Sequence, residues 1–166
     1  MPEESTAPIL SRTWLSLFPP IYLLHLLDER FFGDGTAAWA SEHMGVYLTN
    51  EAWLVINVAW FLGLSLATWL VSRRILPEWI VASLATHLAI HALTRLWGSA
   101  VFVGWSPGVL SGVVVCLPWA TVALVRANQR LPTRQLALGV ACGILSLQPL
   151  WDFFMLPMLT TNPPTA

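Results

Sequence analysis

Ionisable side chains interrupt stretches of this chain that are otherwise apolar: His25, Asp28 and Glu29 in one, His87, His91 and Arg95 in a second, Asp152 in a third. Their spacings are those of groups meant to act together. His25, Asp28 and Glu29 stand at i, i+3 and i+4 and share one helix face; His87, His91 and Arg95 recur every four residues, as do Gln148 and Asp152. Imidazole combined with carboxylate suits zinc, iron or manganese. The candidate metal ligands are His25, Glu29, His87 and His91, with Asp28 as a further ligand or base. Asn57, Arg95, Gln148 and Asp152 are candidates for orienting those ligands or holding substrate. Such a site activates water for hydrolysis, or oxygen for oxidation of an apolar substrate. There is no HExxH motif, and the spacing does not select among the metals.

Two other chemistries fit the same residues. Two buried carboxylates in unlike surroundings can divide the roles of acid and base. Asp28 or Glu29 then protonates an alkene or epoxide and His91 takes a proton back, as an isomerase or cyclase of a sterol- or terpene-like substrate requires. The third option is not enzymatic: a proton or ion path, or a pocket for a lipophile. Against a carrier, the chain has no inverted repeat, although a homodimer can supply one. The plainest reading is polar glue between helices, with Asp28 or Glu29 paired to Arg95.

The elements that position these groups follow from composition. Of 166 residues, 56% are hydrophobic and 10% charged, and the mean hydropathy is +0.65. A soluble domain is about 25% charged, so the chain reads as a single all-α integral membrane domain over residues 1–166. Five apolar segments, at about 14–32, 51–71, 78–103, 107–125 and 136–159, are each long enough to cross ~30 Å of hydrocarbon at 1.5 Å per residue. The net charge of −1 excludes an electrostatic case for nucleic acid, and every fixed cation is an arginine. Cys116 and Cys142 lack metal or redox spacing and read as small core residues. The first segment reads as a retained helix, because Met1 to Arg12 makes a poor signal-peptide n-region and Asp28, Glu29 and Arg30 precede the Ala38-Trp39-Ala40 cleavage-like site.

Breaks fall at Gly33-Asp34-Gly35, Pro77, the turn Gly104-Trp105-Ser106-Pro107-Gly108, and Arg130-Leu131-Pro132; Pro149 is expected to kink the last span. The stretch 36–48 suits a short interfacial helix, with Glu42 and His43 solvated. Arg12, Arg73, Arg74, Arg126, Arg130 and Arg134 fall on one side of five spans, which puts the N-terminus in the cytoplasm and the C-terminus outside the cell membrane. Counting depth along each span places His25, Asp28, Glu29, Asn57, His87, His91, Arg95, Gln148 and Asp152 in one layer, ~14–26 Å from the inner boundary. Polar stripes at one depth should face each other and not lipid.

The stretch His25-Leu26-Leu27-Asp28-Glu29 resembles the signature of the HXXEE membrane proteins, with Asp28 in place of the first Glu. Asn57 in the next helix, His87 and His91 in the third, and the turn Ser106-Pro107-Gly108 before the fourth are also similar, so the resemblance spans most of the chain. It implies a polar site at these residues and names no reaction.

Overall fold

The computed structural model describes residues 9–32, 35–44, 48–102 and 104–146. All regular structure among them is helical: α1 (Arg12–Leu15), α2 (Phe18–Phe31), α3 (Gly35–Met44), α4 (Asn50–Ser72), α5 (Trp79–Val101), α6 (Val109–Arg130) and α7 (Thr133–Leu145). The all-α reading holds. Three helices, α4, α5 and α6, are long and apolar enough to cross a membrane. Their outer faces carry exposed aliphatic and aromatic side chains such as Val55 (69%), Leu62 (60%) and Val114 (63%). Apolar surface of this extent fits hydrocarbon as the surrounding medium.

The first segment is not one continuous helix. A helix from Trp14 cannot run through Pro19 and Pro20, which lack the N–H that each interior turn needs. The chain makes one turn in α1, capped by Ser11 Oγ, and restarts with the prolines in the first turn of α2. That leaves α2 with 14 residues, about 21 Å. The last segment is described only through α7, 13 residues after Pro132, so Gln148, Pro149 and Asp152 lie outside the described residues. The expected short helix after Gly35 is present as α3, with Trp39 stacked on His43 at 5.2 Å.

Helix α5 is the centre of the bundle, packed by α4, α6 and α7. Its buried stripe includes Ala82, Ala85 and Ala92, small enough for neighbours to come close, beside Val81 and Leu88. Helix α7 comes closest. A Cβ built on Gly139 would stand 2.5 Å from the Trp79 carbonyl oxygen, and one on Gly143 2.5 Å from that of Ser83. This is a small-xxx-small contact, in which dispersion and backbone proximity replace the hydrophobic effect as the cause of association in lipid. The G-x-x-x-G spacing was visible in the sequence and is the signal that identifies α7's partner face.

Helix α6 opens at Gly108, whose φ of +83° favours glycine. One turn later, Gly112–Cys116 forms a π-helical turn before α-helical geometry resumes. Gly112 lies against Ala92 of α5, with 3.3 Å from an added Cβ to the Ala92 Cα.

Candidate functional site

The site is built on α2 and α5 and roofed by the start of α6. The i, i+4 spacing on α2 brings His25 Nε2 to 3.4 Å from Glu29 Oε1. Across the interface, His91 Nε2 reaches the same oxygen at 3.1 Å. One turn further along α5, the guanidinium of Arg95 forms an ion pair with it as well. The rings of His25 and His91 meet edge to face at 4.8 Å. His25 and Glu29 are fully buried, and Arg95 retains 17% side-chain exposure. The sequence expectation that His25, Glu29 and His91 converge is met: one donor atom from each lies within 4.8 Å of the other two.

Helix α6 contributes a wall that composition alone did not reveal. A Cβ on Gly108 would fall 2.6 Å from Glu29 Cγ and 2.8 Å from His25 Cε1. The Ser-Pro-Gly turn thus presses bare backbone onto the His/Glu pair. Three residues on, Ser111 donates its backbone N–H to Asp28 Oδ2 at 2.8 Å, and its Oγ lies 2.6 Å from the same oxygen. Asp28 therefore caps the first turn of α6 from a neighbouring helix, satisfying one of its free N–H groups and meeting the positive end of its dipole. It is not part of the His25, Glu29 and His91 cluster. Ser111 Oγ also lies 2.8 Å from His25 Nδ1.

The remaining candidates are placed as follows. His87 shares a stripe with His91 but stands outside the cluster. Its ring stacks on Trp60 at 4.7 Å, and its Nδ1 lies 3.2 Å from Ser146 Oγ. The Ser146 hydroxyl donates to the Gly143 carbonyl, so it accepts from His87 Nδ1–H. A residue one turn from His91 faces a different helix pair here, α4 and α7, which is why spacing alone grouped the two. Asn57 donates to the Trp53 carbonyl and accepts from the Tyr22 hydroxyl at 3.3 Å. It touches the site through Tyr22, whose ring lies 6.5 Å from that of His91. Arg95 is bound to Glu29. Sequence reasoning reached Gly108 only through the resemblance and missed Ser111 and Tyr22; the one available signal was the position of Ser111 in the first turn after the Ser-Pro-Gly turn.

His25, Glu29 and His91 could hold a single metal ion, their donor atoms lying within 4.8 Å of one another. Ligand bonds of about 2.0–2.1 Å in tetrahedral positions put neighbouring donor atoms about 3.3 Å apart. The Glu29 Oε1 to His25 Nε2 and His91 Nε2 separations are 3.4 and 3.1 Å. His25 Nε2 and Glu29 Oε2 are buried without hydrogen-bond partners among the described residues. The same holds for other buried side-chain atoms such as His87 Nε2 and Trp119 Nε1, so it is their place beside the other donors that marks these two. Arg95 shares Oε1 with both imidazoles, so a metal between them would displace the guanidinium from that oxygen or draw on Oε2.

Comparison of the chain with protein-family models, curated proteins and solved structures gives no match. The functional reading therefore rests on the residues and their geometry.

Proposed function

We propose that this protein is a membrane-embedded enzyme that holds a divalent transition metal at His25, Glu29 and His91 and acts on a lipophilic substrate by hydrolysis or oxidation. The observation that carries the reading is the convergence of three buried donor atoms within 4.8 Å of one another, with Glu29 Oε1 at 3.4 and 3.1 Å from the two imidazole nitrogens. Bound there, zinc would supply Lewis acidity, and iron or manganese redox chemistry as well. The chain's own residues hold the imidazoles in place, exclude water by full burial, and neutralise the Glu29 carboxylate with Arg95. A lipophilic substrate is supported by a cleft of about 510 Å³ between α2 and α4, lined by Leu23, Leu27, Leu54, Val58 and Phe61, with Asn57 linking it to Tyr22 and the site.

Elemental analysis of protein purified in mild detergent is expected to find about one zinc, iron or manganese per chain. His25→Ala and His91→Ala should each remove most of it, because each deletes a ligand. A wild-type chain with no stoichiometric metal sinks this reading. One observation favours the runner-up in that event: Arg95 already supplies a cation to Glu29 Oε1. The same groups then act as a metal-free acid and base on a sterol- or terpene-like substrate, or bind a lipophile or conduct protons without turnover.

The proposed setting is the cell membrane with five crossings, α2 and the segment that begins with α7 joining the three long helices. The arginines support it: Arg73, Arg74, Arg126, Arg130 and Arg134 flank the ends of α4, α6 and the start of α7, the side placed in the cytoplasm. A reporter fused after Ala166 should read as extracytoplasmic; a cytoplasmic signal contradicts this topology.

A further inference from the structure

We propose that Asp28 and Ser111 set the tautomer of His25, keeping its ring proton on Nδ1 so that Nε2 faces Glu29 as a free donor atom. This goes a step past the metal reading above and rests on it for its functional meaning. Ser111 Oγ has a single proton and three neighbours: Asp28 Oδ2 at 2.6 Å, His25 Nδ1 at 2.8 Å and the Gly108 carbonyl oxygen at 3.3 Å. A carboxylate can only accept, and O–H···O⁻ bonds are the short ones, at about 2.5–2.7 Å. The proton therefore goes to Asp28.

The serine oxygen then shows only lone pairs to His25, so His25 Nδ1 must donate. In a neutral imidazole the other nitrogen is then an acceptor. His25 Nε2 lies 3.4 Å from Glu29 Oε1, the nearest carboxylate oxygen. Glu29 Oε1 already meets Arg95 and His91, whereas the bare Nε2 lone pair of His25 is left for a cation to take. Carboxylate-oriented imidazoles at metal sites work in this way, and here a serine is interposed. Asp28 and Ser111 are positioning residues; they act through His25.

The Asp28 cap on α6 uses the backbone N–H of Ser111, which permits a test that spares the cap. Full-length chain with 15N-labelled histidine, in lipid nanodiscs and stripped of metal, is examined by NMR. The His25 resonances are assigned with His25→Asn. Wild type should show His25 protonated on Nδ1 and bare at Nε2. Ser111→Ala keeps the N–H cap but removes the acceptor. It should abolish the Nδ1–H preference and weaken zinc binding by about 10–100-fold, with Ser111→Thr restoring both. Asp28→Asn can keep its amide oxygen in the place of Oδ2 and accept both Ser111 bonds, so the tautomer should be retained; Asp28→Ala removes the acceptor and frees the serine proton for His25 Nδ1, and the tautomer should shift to Nε2–H. A wild-type His25 protonated at Nε2 overturns the proposal, as does a Ser111→Ala chain with unchanged tautomer and zinc affinity. If wild type shows the expected tautomer but binds no zinc, the metal reading fails and the relay stands.

Discussion

Glu29→Ala is expected to destabilise the folded protein by about 3–5 kcal/mol, the range for deleting one partner of a buried ion pair. The side chain of Glu29 is fully buried, and a single oxygen meets Arg95, His25 and His91. Its removal leaves the guanidinium of Arg95 without a counter-charge in a low-dielectric setting and deprives both imidazoles of a neighbour. The double variant Glu29→Leu with Arg95→Met should recover much of the loss, because replacing a buried pair by apolar groups is often neutral or favourable. Metal binding should stay abolished in both. Thermal unfolding in mild detergent, followed alongside zinc content, separates the two roles. If the double variant is as unstable as the single one, charge imbalance is not the cause. If Glu29→Ala retains full zinc, the carboxylate is glue and not a ligand.

The second large effect is expected at the contact between α5 and α7. Gly143→Leu places a side chain where even its Cβ would meet the Ser83 carbonyl oxygen at 2.5 Å and Thr86 Cβ at 2.6 Å. The obstacle at Ser83 is backbone, which cannot rotate aside, so the helices must separate. Overpacking of this kind costs about 1–3 kcal/mol, occasionally more, and Gly139→Leu with Gly143→Leu should cost more than either alone. Displacing α7 also moves Ser146 away from His87. Zinc affinity should change little while the protein remains folded, since His25, Glu29 and His91 sit on α2 and α5. A Gly143→Leu chain with wild-type thermal stability would show that α7 is not held this way.

These two sites show how far residue spacing reaches. His25 with Glu29, and His91 with Arg95, are pairs one helical turn apart, and helix periodicity alone puts each pair on one face. Their meeting across α2 and α5 followed from depth counted along each apolar segment. Asp28 was drawn into the same group by that logic, because periodicity cannot tell a side chain aimed at α5 from one aimed at the end of α6. His87 was grouped with His91 for the same reason, although Trp60 and Ser146 claim it. Spacing gave no role to Ser111, and Gly108 entered only through the resemblance: what each does comes from a turn with a left-handed glycine, a tertiary fact that composition does not carry. The restart at Pro19-Pro20 was readable in principle, since proline chemistry decides it locally.

The π-helical turn at Gly112–Cys116 amounts to a single-residue insertion that shifts the phase of α6 partway along its length. Below it, Ala120, Ala123 and Ala127 are fully buried in the core; above it, Ser111 is free to meet His25 and Asp28. Each residue of an α-helix advances the side chain by about 100°. A chain with every polar residue retained but one residue fewer between Ser111 and Leu117 would keep its alanine seam and swing the serine out of reach of the imidazole. The spare residue lets one helix obey two geometric demands at once, and its loss would disconnect Asp28 from His25 without altering either of them.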